Sequence, residues 1–438
     1  MSTNSSPQDQ AFALAMFANA AQSQDQNQDQ KDKDISHTAS RLIKEAISKA
    51  SSTIGDWNIV WGPAVPPQLI GPAYSLNAMY VVQNVAAPSE YMIAIGGTNC
   101  NSVFDKIIED LFVFAQVPWP YGYLEGLVVA PGAKIALGTA LGLNILQNMK
   151  PDADLPGGGQ TLVDFLKTIV SRKVKITVAG HSLGGALAPT VALWLANTQQ
   201  DILSLNWDPW KNATIQVQVF AGPTPGNSAF AKFLGVKLGD GLESHYNSLD
   251  VVPHAWQALD TPALAELYSL YSSSVAKNTV ESGWVLLAGG VALLLSAGGD
   301  YTTLPGLQRI EGTFNSSKPF YDKGADPLQN YFSQLGYQHI PGYFGPFHFN
   351  LEWAPWLLQS PQQQASAALS QAINDALAQK SASPVDVVRN LQKRKPDQIL
   401  VGGARVDAPT GPNDPQAAHV VSLVHAELLK QGGQSSAA

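Results

Sequence analysis

A serine lies at the junction between a strand-like segment and a helix-like segment, with glycines on both sides of it. The β-branched, apolar run KVKITVAG ends at Gly180, and the apolar run LGGALAPTVALWLAN begins at Leu183. A chain passes directly from strand to helix only through a tight turn with small neighbours, because the two elements approach closely. Ser182 is therefore either a nucleophile raised on a sharp turn or part of a structural bend. A nucleophile also needs a base, a group that orients the base, and oxyanion donors.

Around this junction, segments with strand character alternate with segments with helix character. We predict strands in AMYVVQNV, EYMIAIGGT, KVKITVAG and ATIQVQVFAG, which are rich in β-branched and apolar residues and closed by turn residues. We predict helices in HTASRLIKEAISKA, GAKIALGTALGLNILQNM, GQTLVDFLKTIV and LGGALAPTVALWLAN. This alternation predicts an α/β fold with a mostly parallel central sheet and helices on both faces.

The composition limits the partners of the chain. Its 438 residues suggest roughly two to three domain-sized units, although a single α/β domain with insertions can be this long. Charged residues make up 14% of the chain and the formal net charge is -8, without basic runs, which argues against nucleic acid and against electrostatic docking on anionic lipid. Any contact with lipid would have to be apolar. The single cysteine, Cys100, excludes an intramolecular disulfide and is expected to be a small buried hydrophobic residue.

Both ends of the chain differ in composition from its middle. Residues 1–36 hold a short apolar stretch and the polar run QSQDQNQDQKDKD, so we expect a disordered or weakly helical tail. No basic side chain precedes Lys31, and we therefore expect no signal peptide, and a protein that is cytoplasmic or exported by a route not visible in the sequence. We expect residues 37–360 to form the α/β domain and residues 361–438 an accessory helical extension. The oligomeric state does not follow from the sequence.

An insertion at about residues 261–330 interrupts the alternation. It contains ESGWVLLAGGVALLLSAGGD, which carries no charge between Glu281 and Asp300. A membrane-spanning helix needs about 20 apolar residues, and this glycine-punctuated stretch is shorter, so we expect no transmembrane span. A buried helical hairpin and a mobile apolar flap at a lipid–water interface both remain open. On the second hypothesis, residues 284–297 would lie near the mouth of the site and help it to meet apolar substrate.

The junction at Ser182 also resembles a known family. VAGHSLGGALA is similar to the nucleophile segment of the class 3 lipases, the α/β-hydrolases that include the fungal triacylglycerol lipases. Four more segments resemble that family in the same order: IAIGGTNCNSVFDKIIEDLFV, VFAGPTPGNSAFAKFL, YNSLDVVPH and YQHIPGYFG. Three departures accompany the resemblance. Gly96 stands where the family usually has arginine, no disulfide can form, and the insertion lengthens the interval between the last two segments.

Three residues form the nucleophile side of the site that these segments imply. Ser182 would be the nucleophile, and the backbone N–H of Leu183, which opens the following helix, would be one oxyanion donor. The resemblance implies Thr98 as the second oxyanion contributor. The apolar, glycine-ended strand IAIGGT agrees with this role, because glycines let backbone donors come close to a substrate oxygen. Thr98 as the N-cap of a following helix is the alternative interpretation.

Asp250 and His339 complete the implied site. Asp250 lies in the segment that resembles the family's aspartate segment, and the order Ser, Asp, His is the one this fold uses. An aspartate that caps a turn is the alternative. Position along the chain leaves His339 and His348 as candidate bases, and His339 lies in the segment that resembles the family's histidine segment. Asp250 would accept the Nδ1–H of the histidine and fix its tautomer.

The favoured hypothesis is a serine hydrolase that cleaves carboxylic esters of lipids, a triacylglycerol lipase or esterase, through an acyl-enzyme on Ser182. A phospholipase A1 with the same chemistry is the first alternative, and a non-catalytic lipid-binding protein that kept the fold is the second. The mechanism needs no metal and no organic cofactor. His419 and His425 share a predicted helix, but their spacing puts them on different faces, which is poor for shared metal ligation.

Overall fold

The structure is a computed structural model of the chain. It describes residues 5–22, 32–66, 78–97, 113–124, 127–128, 130–200, 205–254, 267–268, 271, 300–325, 327–358, 398–401, 404–409 and 414–431. Four predictions fall outside these ranges: the structure of residues 284–297, the burial of Cys100, the oxyanion role of Thr98, and the structure of residues 361–397 in the predicted helical extension. Among the described residues, no helix is both long enough and apolar enough to cross a membrane.

The described helices and strands follow the predicted alternation through most of the chain. The helices are α1 (Pro7–Phe17), α2 (Asp32–Ile54), α3 (Leu137–Asn148), α4 (Leu162–Ile169), α5 (Leu183–Thr198), α6 (Ser228–Leu238), α7 (Pro327–His339) and α8 (Pro415–Gln431). The strands are β1 (Trp57–Ala64), β2 (Met79–Asn84), β3 (Glu90–Ile95), β4 (Gln116–Pro118), β5 (Tyr123–Leu124), β6 (Leu127–Val128), β7 (Lys134–Ala136), β8 (Val174–His181), β9 (Ala213–Phe220), β10 (Leu242–Asn247), β11 (Leu307–Ile310), β12 (Gln398–Val401) and β13 (Ala404–Asp407).

Seven of these strands form the central sheet, in the order β1-β2-β3-β8-β9-β10-β11. β1, β2 and β3 pair antiparallel, and every pair from β3 to β11 is parallel. β8 is apolar along most of its length because both faces of a parallel sheet are covered. Its end, Gly180 and His181, lies beside Ile95 at the end of β3 and Phe220 at the end of β9. The predicted mostly parallel sheet with packed helices is confirmed, and the carboxyl ends of three strands meet at one edge.

Helix α1 belongs to the core and not to a tail. Ser6 and Asp9 form a capping box at its start, and Pro7 occupies the first turn. The helix packs against β3, β8 and β9, and the ring of Phe12 contacts six other rings: His181, Phe220, Tyr343, Phe344, Phe347 and Phe349. This differs from the tail expected at residues 1–36. The stretch AFALAMF is hydrophobic on all sides, and a helix of that kind is buried.

The strand β11 lies inside the segment that the sequence predicts to be an insertion. It pairs in parallel with β10, with Leu307 opposite Ser244 and Ile310 opposite Asn247. Three of its four side chains are exposed, so no alternation of apolar and polar residues marks the strand in the sequence. The described end of the predicted insertion, residues 300–325, therefore contributes the seventh strand of the central sheet.

The described part of the C-terminal extension is a hairpin, β12–β13, followed by α8, which matches the helix predicted there. The hydroxyl of Tyr121 donates a hydrogen bond of 2.8 Å to the carbonyl oxygen of Leu428 in α8. The same hydroxyl accepts a bond of 2.7 Å from Gln147 of α3. These buried bonds attach α8 to the rest of the protein.

We expect Phe12→Ala to lower the free energy of unfolding by about 3–5 kcal/mol, because a fully buried ring leaves a cavity when it is removed. Trp210→Ala is the matched control, since Trp210 is 83% exposed and its loss should change stability by less than about 0.5 kcal/mol. Urea unfolding of the two variants and the wild type measures both changes. Equal, small effects of the two substitutions would mean that residues 7–17 are a tail.

Candidate active site

Ser182 occupies a strained turn between β8 and α5. Its φ and ψ angles are 59° and -126°, a left-handed region that a residue with a Cβ rarely adopts. Glycines make the turn possible: a Cβ on Gly180 would collide with the backbone of Gly184, and a Cβ on Gly184 would collide with the carbonyl oxygen of Ile95. The Ser182 N–H donates a 3.0 Å bond to the carbonyl oxygen of Phe220. The strands on either side of β8 therefore hold the turn in place.

The structure brings Ser182, His339 and Asp250 together although they are far apart in sequence. His339 is the last residue of α7, and its Nδ1 lies 2.9 Å from Asp250 Oδ2. A carboxylate can only accept, so Nδ1 carries the proton and Nε2 is free to accept. His339 Nε2 accepts a 2.8 Å hydrogen bond from the Ser182 hydroxyl. Both the His339 and the Asp250 side chains are fully buried.

Asp250 follows β10 and is held by more than the histidine. Its Oδ1 accepts a 3.0 Å bond from the N–H of Val252, and its Oδ2 accepts a 2.9 Å bond from the hydroxyl of Tyr343. Burial raises the pKa of Tyr343 well above its usual value, and the charge of Asp250 raises it further. Tyr343 therefore keeps its proton, and its hydroxyl donates a hydrogen bond to the Asp250 carboxylate. Three donors surround the buried charge, which offsets its loss of hydration.

Asn247 ties the end of β10 to the end of α7. Its Nδ2 donates to the carbonyl oxygen of Gln338 at 3.1 Å and to Gln338 Oε1 at 2.9 Å. Its N–H donates to the Tyr343 hydroxyl at 2.9 Å, and its Oδ1 accepts from the N–H of Leu249. Gln338 immediately precedes His339. These bonds thus fix the backbone that carries the histidine relative to the backbone that carries Asp250.

His181 supports His339 from the other side. Its Nε2–H donates a 2.8 Å bond to the carbonyl oxygen of His339, and the two ring centroids are 4.9 Å apart. The pKa of His181 is lowered to about 3, mainly by burial and secondly by the His339 imidazole, while the bond to the His339 carbonyl and the charge of Asp250 act in the opposite direction. His181 therefore stays neutral near pH 7 and acts as a fixed hydrogen-bond donor.

The structure describes one of the two predicted oxyanion contributors. Leu183 opens α5, and the N–H groups in the first turn of a helix have no carbonyl partner within the helix. They also point the positive end of the helix dipole towards the serine. Thr98 lies outside the described residues, and the described part of that strand end stops at Gly97.

The other candidate base, His348, lies apart from the three residues. Its side chain is 73% exposed, and its Nδ1 lies 3.3 Å from Asp9 Oδ2 at the start of α1. Among the described residues, no three histidine, cysteine, aspartate or glutamate side chains are grouped so that they could hold a metal ion. The described histidine in contact with both Ser182 and Asp250 is His339.

This arrangement can move a proton between the serine and a bound group. The hydroxyl of Ser182 points its hydrogen at a neutral imidazole nitrogen, and the opposite nitrogen is bonded to a buried carboxylate. The carboxylate stabilises the imidazolium that forms when the serine is deprotonated. A serine in this setting is suited to attack an electrophilic carbonyl carbon.

Comparison with known proteins finds similarity to lipases. The family model for lipase (class 3) matches residues 159–259, which include Ser182 and Asp250. The crystal structure of M37 lipase matches 84% of this chain and 99% of its own chain, with 28% sequence identity and a TM-score of 0.67. These matches support the resemblance to the class 3 lipases. The likeness to M37 lipase also confirms the predicted α/β-hydrolase fold, and together the two matches support a carboxylic-ester hydrolase.

Other solved structures are less similar. Rhizomucor miehei lipase, in complex with its propeptide, matches 56% of this chain and 60% of its own, with 20% identity and a TM-score of 0.35. A lipase from Rhizopus microsporus var. chinensis matches 58% of this chain and 72% of its own, with 19% identity and a TM-score of 0.35. No curated protein sequence matches the chain significantly.

Three residues that contact the site were not predicted from the sequence: His181, Asn247 and Tyr343. All three lie within segments that resemble the class 3 lipases, namely VAGHSLGGALA, YNSLDVVPH and YQHIPGYFG. Their polar side chains stand among apolar ones, which was an available signal. The partner of each is 91 or more residues away in sequence, so the bonds themselves could not be deduced from spacing.

We expect His181 to make the protein less stable as the pH falls. Its pKa is about 3 in the folded state and about 6.5 when unfolded, so the unfolded state binds the proton first. Stability is full above about pH 6.5 and is lost progressively as the pH falls towards 3, by about 2 kcal/mol at pH 5. In His181→Gln, the amide can still donate to the His339 carbonyl but does not titrate.

Urea unfolding at pH 7 and pH 5 tests this expectation. The wild type should lose about 2 kcal/mol more between these two pH values than His181→Gln does. Equal losses in the two proteins would show that His181 does not titrate differently in the folded and unfolded states.

Proposed function

We propose that this protein hydrolyses carboxylic esters of lipids through an acyl-enzyme on Ser182. One observation carries the proposal: His339 bonds to Ser182 at 2.8 Å and to Asp250 at 2.9 Å at the same time, in a chain whose residues 159–259 match the class 3 lipase model. A non-catalytic lipid-binding protein would not require the hydrogen-bonded series Ser182–His339–Asp250. It would not require the strained backbone angles of Ser182 either.

In the first half of the reaction, Ser182 is acylated. Its Oγ attacks the ester carbonyl carbon while its proton passes to His339 Nε2, and the carbonyl oxygen becomes an oxyanion. Asp250 keeps the imidazolium in place through Nδ1–H. The imidazolium then gives the proton to the alkoxy oxygen of the ester as the C–O bond breaks, which releases an alcohol and leaves the acyl group on Ser182.

In the second half, water takes the place of the alcohol. His339 removes a proton from water, the hydroxide attacks the acyl carbon, and the imidazolium returns a proton to Ser182 Oγ as the fatty acid leaves. The N–H of Leu183 stabilises the oxyanion in both halves. We propose Thr98 as the second oxyanion contributor, on its resemblance to the class 3 lipases. The steps use side chains and backbone groups of this chain and no cofactor.

The choice of substrate class is supported by the match of residues 159–259 to the class 3 lipase model and by the likeness to M37 lipase. We propose triacylglycerols and related esters, met at a lipid–water interface, as the substrates. Hydrolysis rates on emulsified triacylglycerol and on phospholipid vesicles distinguish this substrate class from the phospholipase A1 alternative. A clear preference for vesicles would overturn the choice of substrate and leave the mechanism intact.

We expect Ser182→Ala to lower ester turnover by roughly 10⁴-fold or more, because the residue that forms the covalent bond is gone. The wild type should react with a fluorophosphonate probe and gain its mass on Ser182, and the variant should not. The Tm of the variant shows whether the fold is retained. A folded variant with activity within about tenfold of the wild type would exclude the covalent mechanism.

His339→Ala should also remove nearly all turnover, by roughly 10⁴-fold, because the serine then has no base. His348→Ala is the matched control, since that side chain is exposed and lies beside Asp9 at the start of α1, and it should keep activity within about threefold of wild type. Initial rates with a soluble short-chain ester measure both variants without interfacial effects. The opposite result, loss in His348→Ala alone, would refute His339 as the base.

A further inference from the structure

The side chain of Asn19, in the turn that follows α1, contacts the edge of the sheet that carries Ser182. This residue lies in the 3-10 turn Ala18–Gln22 and is only 3% exposed. Its Oδ1 accepts a 2.9 Å hydrogen bond from the N–H of Gly97, just beyond the end of β3. Its Nδ2 donates a 3.1 Å bond to the carbonyl oxygen of Met16, which fixes the orientation of the amide. The steps proposed for ester hydrolysis do not use Asn19.

Gly97 lies directly against the serine turn. A Cβ on Gly97 would stand 2.6 Å from the carbonyl oxygen of His181 and 3.1 Å from the Cβ of Ser182. These distances are too short for any larger residue, so the backbone of Gly97 is in close contact with the nucleophile. A displacement of the Gly97 backbone would therefore change the packing against Ser182. Thr98, the expected oxyanion contributor, is the next residue in the chain.

The neighbouring residue, Gly96, explains how the N-terminal turn comes so near. A Cβ on Gly96 would stand 2.8 Å from the carbonyl oxygen of Ala18. The N-terminal turn therefore lies beside the backbone at the position where, by resemblance, the family usually has arginine. The hydroxyl of Tyr80 in β2 adds a further anchor, because it donates a 2.7 Å bond to the carbonyl oxygen of Leu14 in α1.

We propose that Asn19 is a positioning residue that holds the end of β3 against the serine turn and thereby sets the oxyanion side of the site. This inference rests on the proposed ester hydrolysis and deepens it. The N–H of Gly97 is buried, and without an acceptor it would cost about 1–3 kcal/mol, enough to draw the strand end towards another partner. A misplacement of about 1 Å near a reacting centre can lower the rate by roughly 10²-fold. Asn19 acts through the backbone and does not touch the substrate.

The decisive variant is Asn19→Leu, which keeps the size of the side chain and removes the acceptor. We expect kcat on a soluble ester to fall by about 10- to 100-fold, with KM within about threefold of wild type, because transition-state stabilisation is lost and ground-state binding is not. The pH dependence of kcat should keep its shape while its plateau falls, since His339 and Asp250 are untouched.

Asn212→Leu is the matched control for stability. Asn212 immediately precedes β9, at the opposite end of the sheet from Ser182. Its Nδ2 donates a 2.8 Å bond to the carbonyl oxygen of Val170. This variant should lose stability but keep kcat within about twofold of wild type, when all the proteins are assayed at one temperature well below the lowest Tm among them. A kcat for Asn19→Leu within about twofold of wild type, or an equal fall in both variants, would overturn the inference.

A second variant decides the question if Asn19→Leu does not fold. Gly96→Ala leaves the chemistry of Asn19 and Gly97 unchanged but pushes the Ala18 carbonyl away from β3, and it should lower kcat in the same way with little change in KM. A folded Gly96→Ala with wild-type kcat would count against the inference. Fluorophosphonate labelling of the wild type keeps the two proposals separate. A wild type that does not label refutes the mechanism, whereas a labelled wild type with an unaltered Asn19→Leu refutes only the role of Asn19.

Discussion

The geometry of the site depends on the turn at Ser182, which has no room for a Cβ at Gly180 or at Gly184. The serine itself adopts positive φ, which costs on the order of 1–3 kcal/mol and persists only where the surroundings impose it. The surroundings here are the carbonyl of Ile95 at the end of β3, which abuts Gly184, and the carbonyl of Phe220 at the end of β9, which accepts the Ser182 N–H. The buried parallel sheet therefore supplies the rigidity that the strained turn requires, and the hydroxyl is held in one direction.

Behind the turn, the polar groups form a network with few degrees of freedom. Asp250 accepts from His339, Tyr343 and the backbone, Asn247 links Tyr343 to Gln338, and His181 bonds the carbonyl of His339. Charge that develops on the imidazole meets dipoles already oriented towards it, so little reorganisation accompanies proton transfer. Because the network is buried, each member is expensive to remove and each constrains its neighbours.

The sequence predicted the parts of this protein that are encoded locally. The strands β8 and β9 are near-continuous apolar runs, and Ser182, Asp250 and His339 lie in short segments that resemble a known family. What escaped prediction depends on distant contacts. α1 looked like a stray apolar stretch because its neighbour is a polar run, and β11 carries exposed side chains that show no alternation. Nothing in the sequence around Asn19 predicts its hydrogen bond with the N–H of Gly97. The two residues are 78 positions apart and meet only in the folded chain.

The position of α1 also has a consequence for the order in which the protein can assemble. Phe12 packs on Phe347 and Phe349, which are made more than 330 residues later, because 349 minus 12 is 337. At a synthesis rate of about 5–20 residues per second, the helix waits roughly 20–70 s on the ribosome before these partners emerge. β3, β8 and β9, against which the helix also packs, are made earlier, so only the part of its cover that comes from residues 343–349 is missing during that interval. The aromatic cluster around Phe12 is therefore the part of this core that closes last as the chain is made.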